Sequence, residues 1–141
     1  MHIVEDEQFD ALWSSHNLEH LESTDVPIAL AEFVRVLKPG GFVLITLPDM
    51  QKVAELVAQD KLDEPAYVSP AGPIAPIDMI FGHRPSIASG NKFMAHRTGF
   101  TAKTLRNALV REGLERVNIQ RQGFDLWGAG YKPTNPKSEA D

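Results

Sequence analysis

A chain of 141 residues, 43% of them hydrophobic, has enough apolar material to build the core of one compact domain. Its formal charge of -5 leaves no broad basic face to neutralise a run of phosphates, which argues against nucleic acid as a partner. Without cysteine there is no disulfide or thiolate metal site, the acidic opening MHIVEDEQ does not fit a signal peptide, and no stretch approaches the roughly 20 apolar residues of a membrane span; a cytoplasmic protein with no membrane contact is expected.

Phe9 to Ser14 (FDALWS) is too short for a helix and reads as a buried strand. Thr24 and Asp25 are good N-caps for an amphipathic helix with Val26, Leu30, Phe33, Val34 and Leu37 on its apolar side, and Pro39, Gly40 and Gly41 are expected to stop it. Phe42 to Leu47 (FVLITL) is apolar on both faces, as in a strand covered by helices on both sides of a sheet. Strand, helix and strand in this order predict a right-handed parallel crossover. Met50, Val53, Ala54 and Val57 recur at helical spacing after Asp49, which serves either as the cap of that helix or as a group orienting a polar substrate. Residues 61–100 hold Pro65, Pro70, Pro73, Pro76 and Pro85 among several glycines, so a long irregular excursion is expected, with at most a short helix near Ile74 to Phe81. Such an excursion would be more mobile than the strands and would carry substrate selectivity. Thr101 caps a further helix with Leu105, Ala108 and Leu109 on its apolar side, ended by Gly113. Val117 and Ile119, a turn at Gln122 and Gly123, and the aromatic run from Phe124 to Tyr131 predict a closing antiparallel hairpin. Residues 1–132 thus form one domain, followed by a polar, disordered tail over 133–141. Trp13 and Trp127, placed in apolar runs, are read as core or edge-strand packing.

The run FDALWSSHNLEHL, followed by a helical pattern ending EFVRVLKPGGFVLITLPD, resembles the fourth strand, the next helix and the fifth strand of class I S-adenosylmethionine (SAM) dependent methyltransferases of the type 11 kind. HRTGFTAKTLRNALVREGLERV resembles the later helix and sixth strand of the same fold. The resemblance implies an α/β, partial Rossmann-like sheet ordered 4-5-7-6, with SAM as cofactor lying over the carboxyl ends of strands 1 and 4. No G-x-G-x-x-G loop occurs, and no strand, loop and ribose-holding acid precede Phe9. The likeness is therefore to the carboxyl-terminal half of such an enzyme, and the isolated chain is expected not to bind SAM usefully. Without a strand-1 neighbour, strand 4 presents an apolar edge, which predicts a homodimer through that edge or completion by a separate amino-terminal methyltransferase half. A noncatalytic interaction module derived from a methyltransferase is the alternative.

Carried over residue by residue, the resemblance places Ser14, Ser15, His16 and Leu18 where the loop after strand 4 passes the methionine end of the cofactor, and Glu19 and His20 on the EH pair that often follows. His16 or His20 would be the base that takes the acceptor's proton, or else these side chains pin a short polar loop. His83, Arg84, His96 and Arg97 would receive an anionic substrate, or else form a solvated basic surface. His16 to His20 also reads H-N-L-E-H, the H-x-x-E-H pattern of inverted zinc peptidases. That motif must lie inside a helix, whereas this one directly follows a strand; no metal site is assigned.

Overall fold

The computed structural model describes residues 4–134. Strand β1 (Phe9–Ser15) leads through a 3-10 turn (Leu18–His20) to helix α1 (Val26–Val36) and strand β2 (Leu37–Pro48). Helix α2 (Met50–Ala58) follows, then a small hairpin of β3 (Tyr67–Ser69) and β4 (Gly72–Ile74), two short helices α3 (Pro76–Phe81) and α4 (Arg84–Ala88), and a second 3-10 turn (Lys92–Met94). Helix α5 (Ala102–Arg111) and the hairpin of β5 (Glu115–Gln122) and β6 (Asp125–Tyr131) close the described chain. The main sheet runs β1-β2-β6-β5, with β1 and β2 parallel and the other pairs antiparallel. This is the α/β, partial Rossmann-like architecture that the sequence implies.

Helices α1 and α5 lie on one face of that sheet. Val26 and Leu30 of α1, and Leu105 and Leu109 of α5, join Val43, Ile45 and Leu47 of β2 and Leu126 of β6 in one buried cluster. The approach of α5 is close because β6 carries glycine beneath it: a Cβ built on Gly128 would stand 2.9 Å from Leu105. The other face is open. Residues alternate along a strand, so Trp13, Phe42, Leu44, Trp127 and Tyr131, opposed in register across β1, β2 and β6, share that side. Trp13 is 66% exposed, Phe42 39% and Trp127 36%.

Three sequence expectations change here. The first strand is not buried, since only Ser14 of β1 is fully covered, and β2 is covered by helices on one face, not on both. Neither tryptophan is a core residue, and of the two readings offered Trp13 takes the other, standing on the edge strand. The physical reason is common to these two changes: an apolar alternation records that a face wants cover, and nothing among the described residues covers this one. The third change concerns Pro39-Gly40-Gly41: the helix stops at Val36, just ahead of this run, but the run itself lies within a strand and is not a turn between the two elements. Leu37 is already extended at φ -80°, ψ 141°, and β2 takes up Pro39, Gly40 and Gly41 as an irregularity, advancing from Leu37 to Phe42 while β1 advances from Phe9 to Ala11. A Cβ on Gly41 would stand 2.8 Å from the Asp10 carbonyl oxygen, so the bulge needs glycine there.

The 61–100 segment holds more regular structure than its proline and glycine content predicts. Asp78 in the first turn of α3 explains much of it. Its buried carboxylate accepts from the Ala75 amide at 3.0 Å, the Arg84 amide at 3.1 Å and Arg84 Nε at 2.8 Å, tying α3 to the start of α4. Tyr67 stacks on Phe124 with ring centroids 5.3 Å apart, which fastens the small hairpin to the turn between β5 and β6. Most of the expected tail lies outside the described residues.

Candidate active site at the carboxyl ends of the parallel strands

β1 and β2 both finish at the same rim of the sheet, and antiparallel β6 begins there, with Asp125 opposite Pro48. Beyond β1 the backbone turns sharply. His16 has φ 52°, an uncommon value for a residue with a side chain, held by its amide donating to the Thr46 carbonyl at 2.8 Å. The 3-10 turn that follows sends Leu18 into the core and Glu19 and His20 toward the rim. The 61–100 segment arches over the same place, so that a cavity of about 570 Å³ opens between the strand ends and α3, α4 and the second 3-10 turn. Its polar wall includes His16, Glu19, His20, His83, His96 and Asp125, and its apolar wall Ile74, Met79, Phe93 and Met94.

His16 stands between two carboxylates, with Nδ1 3.3 Å from Glu19 and Nε2 3.6 Å from Asp125. The Glu19 carboxylate, and after it Asp125, raises the His16 pKa above the ordinary histidine value, with burial acting the other way. Burial lowers that of His96 and raises that of Asp125. Glu19 is 1% exposed, and neither of its carboxylate oxygens has a well-aligned hydrogen bond among the described residues. His20 Nδ1 lies 3.2 Å from the Ala95 carbonyl and His96 Nδ1 2.8 Å from that of Met79, so both rings are oriented by backbone. His20 and His96 meet edge to face at 4.8 Å between centroids.

Of the residues singled out in the sequence, His16, Glu19, His20, His83 and His96 line this cavity. The rest do not. Leu18 is core, Ser14 is buried opposite Ile45, and Ser15 Oγ accepts from Thr46 Oγ1 at 2.8 Å on the open side of the sheet. Arg84 is engaged by Asp78, and Arg97 by Glu22 at 2.8 Å, so both guanidinium groups already have a carboxylate. Asp49 caps α2, accepting from the Gln51 amide at 3.1 Å, and pairs with Arg121 at 2.6 Å. The H-N-L-E-H run does not form the helix a zinc peptidase needs, because His16 is in the left-handed region and only Leu18–His20 are helical, as 3-10. The main omission from the sequence was Asp125, brought beside His16 by the antiparallel return of β6; nothing local in the sequence signals it.

The family profile described as a methyltransferase domain matches residues 2–45. Among curated proteins none matches the sequence significantly. Many solved structures share the fold. A SAM-dependent methyltransferase from Archaeoglobus fulgidus superposes with a TM-score of 0.60 at 12% identity, over 93% of this chain and 62% of its own. A 1,6-didemethyltoxoflavin-N1-methyltransferase from Burkholderia thailandensis, solved with that compound and S-adenosylhomocysteine, superposes with a TM-score of 0.52 at 18% identity, over 91% of this chain and 45% of its own. A methyltransferase from Haloferax volcanii, in complex with the Trm112 activator, gives 0.52 at 15% identity, over 92% of this chain and 57% of its own. The chain therefore has a partial Rossmann-like methyltransferase fold, as the sequence resemblance implies, and spans less than two thirds of the length of each of these structures.

Proposed function

We propose that these residues form the acceptor side of a SAM-dependent methyltransferase site, and that the side gripping the cofactor comes from outside the 141 residues. The observation that carries this reading is the cavity at the carboxyl ends of β1 and β2, where open α/β sheets bind their ligands. It coincides with a sheet whose β1 edge pairs with nothing beyond β2 among the described residues and whose aromatic face is open. A completing segment would meet that edge and cover that face. Its glycine-rich loop would hold SAM, for which the sequence has no G-x-G-x-x-G of its own.

Within this reading His16 is the group that takes the acceptor's proton. It lines the cavity, is partly exposed, and has carboxylates near both ring nitrogens to stabilise the imidazolium that forms. His20 is more firmly fixed by its neighbours. The methionines and Phe93 suit an acceptor with an apolar body and one polar reacting atom. In the absence of its complement the β1 edge pairs with a second copy, so the isolated chain is a homodimer at micromolar concentration.

Calorimetric titration with SAM separates the outcomes. The isolated chain is expected to bind weakly or not at all, whereas the chain purified from its native cells with whatever remains attached binds at micromolar concentration. Micromolar binding by the isolated chain contradicts the incomplete site. No binding by either preparation contradicts the methyltransferase reading and leaves a noncatalytic interaction module.

A further inference from the structure

The wall of the cavity contains an arrangement that methyl transfer to a simple acceptor does not call for. Glu19, His20 and His96 each offer a ligand atom, and these atoms all lie within 4.8 Å of one another. The Nδ1 atoms of both histidines face backbone carbonyls, Ala95 for His20 and Met79 for His96, which fixes Nδ1 as the protonated nitrogen and leaves Nε2 with its lone pair free. That is the arrangement found where imidazoles ligate metal, the outer nitrogen tied to a carbonyl and the inner one presented to the ion. His20 Nε2 is 4.0 Å from Glu19 Oε2.

Glu19 supplies the independent observation. A carboxylate that is 1% exposed with no well-aligned hydrogen bond to either oxygen, among the described residues, has an unmet need for positive charge. His16, with Nδ1 3.3 Å away, meets part of it from one side. The remaining direction is toward His20 and His96.

We propose that Glu19, His20 and His96 bind a divalent transition-metal ion such as Zn²⁺. Two imidazoles and a carboxylate suit that class and disfavour Mg²⁺ or Ca²⁺, which prefer oxygen ligands throughout. Ligand distances of about 2.0–2.2 Å in a tetrahedral site put ligand atoms roughly 3.3 Å apart, so the three close in by a modest side-chain movement when the ion enters. The fourth position faces the cavity, since all three residues line it. It is open to water or to an oxygen or nitrogen of a molecule bound there, whose proton the ion would make easier to lose. His16, beside its role toward the acceptor, then also holds the Glu19 carboxylate from behind. The site differs from the peptidase motif read in the sequence: its third ligand comes from the far end of the 61–100 segment, and His16 is not one of the ligands.

The test needs neither SAM nor turnover. The full chain, stripped with chelator, is titrated with Zn²⁺ by calorimetry, and separately loaded with Co²⁺ for visible spectroscopy. One equivalent of Zn²⁺ is expected to bind at micromolar or lower concentration. Glu19→Gln and His96→Ala should each weaken it by at least tenfold, the size of effect typical of losing a contact in a metal site. His83→Ala, which removes a cavity histidine held instead by Ser86 at 2.7 Å, should leave it unchanged. Should either ligand variant fail to fold, the Co²⁺ spectrum of the unaltered chain decides, because an ion held by two imidazoles and a carboxylate gives visible bands that hydrated Co²⁺ lacks in strength. Absence of stoichiometric binding, hexaaquo-like Co²⁺ bands, or binding that Glu19→Gln and His96→Ala leave intact while His83→Ala weakens it, overturns the proposal.

Discussion

The two faces of the main sheet are built from the same strands and reach opposite ends. On one, Val43, Ile45 and Leu47 vanish under α1 and α5; on the other, their immediate neighbours Phe42 and Leu44 share a surface with two tryptophans that water reaches. Strand residues of similar hydrophobicity thus stabilise the isolated chain very differently. What separates them is the presence of a covering layer, and hydrophobic stabilisation scales with the area that layer removes from water.

The largest test of that contrast is a paired truncation. Ile45→Ala, at a fully buried position, should cost the isolated chain about 2–5 kcal/mol in urea unfolding, while Trp13→Ala should cost less than about 0.5 kcal/mol in the dissociated chain. Similar losses at both positions would mean the open face is already covered. A smaller effect is expected at the α5 contact: Gly128→Ala puts a methyl 2.9 Å from Leu105 and should destabilise by about 1–3 kcal/mol, read in the same assay. Smaller again is the effect of acid on the arch above the cavity. Burial alone would raise the Asp78 pKa, yet Arg84 and two backbone amides outweigh it and hold the group at about 2, below its ordinary carboxylate value. A depressed folded-state pKa stabilises above the unfolded value and is lost as pH falls through the folded one. The hydrogen-exchange protection of α3 and α4, taken relative to the intrinsic rate at each pH, should therefore fall between about pH 4 and pH 2. In Asp78→Asn the segment should already exchange fast at neutral pH and show little further acid dependence.

Much of this was legible in the sequence where the signal was local. The FVLITL run, the Asp25 and Thr101 helix starts and the glycine after α5 all act within a few residues, and each element appears where its pattern places it. The first strand with its neighbour, and the closing hairpin, follow from chain order. Cover is not local: the same alternation describes Val43 and Leu44, and no pattern in β2 tells which side a helix occupies. The order within residues 61–100 also escaped, because it rests on one aspartate gathering donors from Ala75 and Arg84, whereas the proline and glycine counts register only punctuation. The site was half visible. His16 and His20 stand out by their place after β1, but the cavity needs Asp125 and His96 from elements folded back from far along the chain, and the two arginines that looked available for substrate are spent on Asp78 and Glu22.

The most direct measurement uses a coincidence of composition. The chain has two tryptophans, and both Trp13 and Trp127 stand on the open face, so their fluorescence reports on that surface alone. Acrylamide quenching across a dilution series should find both rings accessible when the chain is dilute, with Trp13 on the edge strand becoming protected as the chain reaches micromolar concentration and Trp127, two strands away on β6, staying accessible. Protection that is strong and independent of concentration would show the face closed by the chain itself, and would contradict the account of an incomplete methyltransferase sheet awaiting its complement.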